Sequence, residues 1–174
     1  MHAMIDIESL STAQDAAILQ IAVVQFEPVF AGKVLVDDAF NIGVKLDGQL
    51  GAHVDGNTLG WWLMQGQRAR KNIADMQTNG KPLAEALQLL GSWWRTRRPQ
   101  MVWAHGVVFD IGCLSHAYAR VGQEAPWSYR EVLDTRTLYW HTTHERRSYA
   151  ATPHDALSDV IAQAEEVQQA LRRR

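Results

Sequence analysis

The chain predicts an α/β domain on a mixed central sheet flanked by helices, and three observations carry that prediction. Three successive apolar, β-branched segments open the sequence with short connections between them, the pattern of an antiparallel meander. From Thr58 onward the apolar spacing changes to the helical period, interrupted only by short buried strands. A long amphipathic helix then closes the chain. That order suits helices packed on both sides of one sheet.

Each element has its own signal. The first strand contains Met4-Ile5-Asp6-Ile7-Glu8, the second spans residues 16–27 and the third residues 33–47. Thr58 is placed to cap a short helix holding Leu59, Trp61, Trp62 and Leu63. Pro82 suits the first turn of another helix, with Leu83, Leu87, Leu90 and Trp94 on one stripe and Pro99 beyond its end. Residues 101–105 read as a buried strand, followed by a helix with Phe109, Cys113, Leu114, Ala117 and Val121 on its inner face. A last strand fits within 127–133, before a short helix carrying Leu138 and Tyr139. The final helix is expected to begin at Thr152-Pro153, with Leu157, Val160, Ile161, Ala164, Val167 and Leu171 facing inward. The loop 48–57 and the segment 141–152 are expected to be the mobile parts. No repeat or linker divides the chain, so residues 1–174 form one domain.

Composition narrows the function classes. Hydrophobic residues make up 47% and charged residues 21%, an ordinary globular balance. No apolar run is long enough to span a bilayer, and Asp6 and Glu8 interrupt the early stretch that a secretory signal would need. The lone Cys113 rules out an internal disulfide, so a soluble cytoplasmic protein is expected. A formal net charge of -2 argues against a broad electrostatic grip on long nucleic acid, though not against holding a few nucleotides through metal ions. The runs Arg95-Thr96-Arg97-Arg98 and Arg172-Arg173-Arg174 lie at helix ends, where they complement the dipole.

The chemistry concentrates in the acids. Strand alternation puts Asp6 and Glu8 on one face while Ile5 and Ile7 fill the other. Two adjacent carboxylates repel, and a divalent cation would make their pairing favourable. Asp110 follows the strand 101–105 at the start of a helix, a position the dipole alone would explain. Gly106 allows a tight turn there and Phe109 anchors it. In Thr152-Pro153-His154-Asp155-Ala156-Leu157-Ser158-Asp159, Thr152 and Asp155 read as a capping box. Asp159 lies one turn beyond, outside the reach of the cap.

Taken together these segments resemble the three motifs of the DEDDh family of 3′–5′ exonucleases, whose fold is ribonuclease H-like. Asp6-Ile7-Glu8 is similar to the first motif, Phe109-Asp110 with the preceding Trp-Ala-His-Gly to the second, and His154 through Asp159 to the third, H-x4-D. Thr58-Leu59-Gly60-Trp61-Trp62-Leu63-Met64-Gln65 resembles the phage-type and mycobacterial exoribonuclease branch, and Asp134-Thr135 the family's D-T after the second motif. Two positions depart from the pattern. Ser9 stands where threonine is common after Glu8, and Gly106 stands where asparagine often precedes the second-motif acid.

The resemblance implies that Asp6, Glu8, Asp110 and Asp159 hold two divalent cations, Mg²⁺ or Mn²⁺, roughly 4 Å apart. It implies that His154 takes the proton from the attacking water. Nucleoside 5′-monophosphates would then leave a single-stranded 3′ end one at a time. Ser9, Leu10, His105, Trp61, Trp62 and Gln65 are the implied substrate contacts; equally, one of the tryptophans packs in the core and the other at a subunit contact. A homodimer is one assembly that the tryptophan pairs and the resemblance suggest. Single-stranded RNA is favoured slightly over DNA, with DNA-directed exonuclease action the near rival. A non-catalytic nucleic-acid-binding module on the same scaffold would show the loss of an acid or of the histidine. All five are present.

Overall fold

The computed structural model describes residues 1–145 and 154–172. Its five strands are β1 (His2–Ser9), β2 (Ile18–Phe26), β3 (Val34–Gly43), β4 (Val102–Ala104) and β5 (Val132–Asp134). Its six helices are α1 (Gly56–Met64), α2 (Gln67–Asn79), α3 (Leu83–Arg97), α4 (Asp110–Arg120), α5 (Thr135–Thr142) and α6 (Ala156–Leu171). The sheet order is β3-β2-β1-β4-β5. β1 pairs antiparallel with β2, and β2 with β3; β4 runs parallel to both β1 and β5. The sheet is mixed, as expected, with the meander on one side of β1 and the parallel strands on the other.

The two faces of the sheet differ. On one, Ala3, Ile5 and Ile7 join Ile21 and Val23 and meet Leu83, Leu87 and Leu90 of α3 and Leu114 and Tyr118 of α4. Burying each large aliphatic side chain contributes roughly 1.5–3 kcal/mol, so this face supplies much of the stability. On the other, Met4, Ala22, Val24 and Phe26 lie under Val160, Ala164 and Val167 of α6 and Leu138 of α5. That second layer stops short at Asp6 and Glu8. A third cluster packs Leu10 and Leu19 against Trp62, Ala69 and the partly buried Ile73, bringing α1 and α2 to the open end of β1.

Several details differ from the sequence expectations. Asp55, not Thr58, caps α1: its carboxylate accepts the Thr58 amide at 2.8 Å and the Thr58 hydroxyl at 3.0 Å. Aspartate outcompetes threonine because a charged acceptor suits the helix start better. α2 was not anticipated, since its apolar stripe is only Ala69, Ile73 and Met76 in an otherwise polar sequence. The strand expected within 127–133 is confined to Val132–Asp134, behind a single 3₁₀ turn at Tyr129–Glu131. The loop 48–57 is tied down: the buried Gln49 side chain accepts the Ile18 amide and donates to the Ile18 and Lys45 carbonyls. α6 starts at Ala156 with Asp155 as its own cap. The expected start at Thr152-Pro153, most of the segment 141–152, and Arg173 and Arg174 lie outside the described residues.

Candidate active site

The alternation of β1 turns Asp6 and Glu8 toward α6, whose first turn carries Asp159. One carboxylate oxygen from each of the three lies within 4.8 Å of the others. Gln163, one turn along α6, donates to Asp6 at 2.9 Å and fixes that carboxylate's orientation. Burial pushes the Glu8 carboxyl up to about 9, and the charges of Asp6, Asp159, Asp155 and Asp110 add to the shift. Like charges so close resist joint ionisation unless a cation is supplied.

Asp110, 3% exposed, lies at the start of α4, outside the group of three carboxylates but near enough for its charge to act on Glu8. Its carboxyl is held well above the usual range by burial and then by the Asp6 charge, while the Ile7 amide and the Arg136 guanidinium pull the other way. The turn that delivers it needs Gly106, whose φ of 114° is a conformation that side chains rarely adopt. Asp134 fixes the same turn. One of its oxygens accepts the Val107 amide at 3.1 Å and the other caps α5 through the Thr137 amide at 3.0 Å. Its carboxylate therefore serves the backbone.

His154 precedes α6 in a left-handed conformation, φ 62°. Its ring lies edge-on to Trp61 at 4.6 Å and to Trp62 at 5.9 Å between centroids. Asp155 then caps α6 through the Ser158 amide and hydroxyl. The positive φ sets His154 outside the regular helix, so its ring is not held to the helical spacing of five that separates it from Asp159.

The six implied substrate contacts are placed unequally. Trp62 is only 3% exposed, and its indole donates to the Ser9 carbonyl at 2.9 Å. So deep a ring offers no face to a base, which corrects the stacking expectation for this residue: Trp62 braces the end of β1. Trp61 is 39% exposed and open to contact. Ser9 and Leu10 have buried side chains, Ser9 donating to the Ser11 carbonyl at 2.7 Å. Gln65 ends α1 and donates to the Trp61 carbonyl. His105 shares a 2.7 Å hydrogen bond with Thr135.

The sequence model of the Rv2179c-like 3′–5′ exoribonuclease domain matches residues 1–171. The chain belongs to this family. It is a 3′–5′ exonuclease. Among solved structures, the nuclease domain of 3′hExo, described as a DEDDh family member bound to rAMP, is 12% identical with a TM-score of 0.71, over 98% of this chain and 90% of that one. E. coli Exonuclease I in complex with a 5cy-dA13 oligonucleotide is 14% identical with a TM-score of 0.65, over 97% of this chain and 41% of that one. Its complex with a dT13 oligonucleotide gives 13% and 0.68, over 99% and 42%. This chain thus spans about two fifths of Exonuclease I. None of the curated proteins matches the chain in sequence. Among the described residues no helix is long and apolar enough to cross a membrane.

Sequence reasoning missed the residues that hold the acid cluster in register. Gln20 stands opposite Glu8 in the β1–β2 ladder and is 3% exposed. It donates to Asp155 and to Asn41, both at 2.9 Å, and accepts the Ala156 amide at 3.0 Å. It therefore ties the start of α6 to the sheet. The available signal was a lone amide within the apolar run 16–24. Gln163 left no such trace among the polar residues of α6.

Proposed function

We propose that the chain is a metal-dependent 3′–5′ exoribonuclease acting on single-stranded RNA or short oligonucleotides, with Asp6, Glu8, Asp110 and Asp159 as metal-holding residues and His154 as general base. The observation that carries the proposal is the convergence of Asp6, Glu8 and Asp159 within 4.8 Å, with Asp110 buried beside them. The donor set fits a hard divalent cation such as Mg²⁺ or Mn²⁺, being all carboxylate oxygen. The raised carboxyls of Glu8 and Asp110 mark a cluster whose charge asks for compensation. When bound, divalent ions supply Lewis-acid polarisation of the phosphodiester and neutralise its charge.

The protein's own groups then have separable tasks. His154, packed on Trp61 just before the helix that carries Asp159, accepts the proton of the attacking water. Gln163 keeps Asp6 aimed, and Gln20 keeps Asp155 and the first turn of α6 in place. The end of β1 at Ser9 and Leu10, braced by Trp62, borders the terminal nucleotide, while the more exposed Trp61 offers its ring to the base.

RNA is supported by the family description and by the rAMP in the 3′hExo structure. The deoxy-oligonucleotides in the Exonuclease I complexes favour DNA as the second reading. Matched 5′-labelled RNA and DNA strands distinguish them. With Mg²⁺ or Mn²⁺ the RNA should shorten as a ladder and release nucleoside 5′-monophosphates, and EDTA should stop it. Asp6→Ala and Asp159→Ala should remove the ladder, and His154→Ala should slow it by roughly 10²-fold or more. An intact ladder in Asp6→Ala would reject the assignment.

A further inference from the structure

Two clefts are lined by residues that adjoin the acids, one by Gln20 and Asp155 and the other by Gly106 and Phe109, and their charges differ. On the β3 side, a cleft of about 340 Å³ is lined by Gln20, Asn41, Arg68, Asn72, Asp75 and Asp155, so its one cation shares the space with two carboxylates. On the β5 side, a cleft of about 500 Å³ runs past Thr12, Gln14, His105, Gly106, Phe109 and Arg136. The one acid lining it, Asp134, has both oxygens taken by the Val107 and Thr137 amides. The second cleft therefore sets its one cation against a single carboxylate whose oxygens face backbone amides, where the first sets its cation against two.

Arg136 is exposed, one residue into α5. Its guanidinium lies against the Gly106 backbone so closely that a Cβ there would stand 3.4 Å from its central carbon. Among the described residues it makes no hydrogen bond or ion pair, yet its charge reaches Asp110, the residue after the cleft-lining Phe109. A planar five-donor fork held without a partner beside a phosphodiester site matches the geometry of a phosphate.

We infer that this cleft receives the strand on the 5′ side of the scissile bond, with Arg136 gripping a phosphate of that upstream segment. The inference rests on the exonuclease reading above and deepens it: the terminal nucleotide lies toward His154 and Trp61, and the rest of the chain leaves past Gly106 and Arg136. The polar side chains of Thr12, Gln14 and His105 line the same path. A single cation matched to a single phosphate also agrees with a chain whose net charge is -2.

Two substrates separate this role from a general one. A 5′-labelled single-stranded oligonucleotide carries upstream phosphates; the p-nitrophenyl ester of a nucleoside 5′-monophosphate keeps the terminal nucleotide and replaces the upstream strand with an aryl group. Arg136→Gln should raise KM for the oligonucleotide by roughly tenfold or more, while the aryl ester is turned over as by the wild type. Arg136→Lys should recover part of the loss. Oligonucleotide binding measured by anisotropy with Ca²⁺ should show a log K against log salt slope shallower by about 0.7, one phosphate contact on a single strand. Arg68→Gln should leave both substrates unaffected. Equal losses on the two substrates would place Arg136 at the metal site through Asp110 and overturn the inference, as would an unchanged KM or a loss found only with Arg68→Gln. A wild-type protein that hydrolyses neither substrate would instead reject the exonuclease reading.

Discussion

Within a single strand, β1 does two opposite things. Ile5 and Ile7 enter the core beneath α3 and α4, while Asp6 and Glu8, half-buried, face α6 with carboxylates close enough to repel. Burial of Ile5 lowers the free energy of the fold, whereas burial of Glu8 raises it until a cation arrives. The difference teaches that stability and chemistry are divided by the strand's two-residue alternation rather than by position along the chain.

That division can be broken by substitution on each side. Asp6→Asn keeps an acceptor for Gln163 but removes a charge that acts on both Glu8 and Asp110. Activity should fall by about three orders of magnitude or more, while the metal-free melting temperature holds or rises. Ile5→Ala should show the reverse, costing about 2–5 kcal/mol in denaturant unfolding and leaving the acids in place. Equal stability losses in the two variants, seen by denaturant titration, would show that the faces are not separable.

A smaller effect sharpens the comparison through pH. The Glu8 carboxyl titrates at about 9 in the fold, far above its ordinary 4.5, so between those values the folded chain holds a proton that the unfolded chain has released. Stability of the metal-free protein should therefore fall as pH rises from about 5 to 9 and level off below that window. Asp110, shifted in the same direction, adds to the trend. Melting curves in EDTA across this range should show the decline, and saturating Mg²⁺ should flatten it; a metal-free protein that gains stability with pH would contradict the assignment of strain to these acids.

Much of this division was legible in the sequence. The alternation Ile5-Asp6-Ile7-Glu8 already separates the faces, and the positions of Asp110 and Asp159 at helix starts were readable from turn and cap chemistry. What stayed hidden depends on contacts across the chain. Nothing local announces that Gln20 ties β2 to Asp155, 135 residues on, or that Trp62 closes on the Ser9 carbonyl. The start of α6 shows the same limit. Thr152 and Asp155 satisfied the capping-box pattern, but the left-handed turn at His154 makes Asp155 the cap and frees the histidine from the helix. Likewise Asp134 resembles one more acid near the site until its two amide partners account for it.

The account depends on the carboxylates of Asp6, Glu8 and Asp159 exchanging protons for a cation. Calorimetric titration of Mn²⁺ at pH 7, repeated in buffers of different ionisation enthalpy, measures both uptake and proton release. The wild type should bind Mn²⁺ with release of about one proton, because Glu8 enters the titration protonated, and Asp6→Asn should lose the binding. Heat that shows no Mn²⁺ uptake by the wild type, or uptake undiminished in Asp6→Asn, would contradict it.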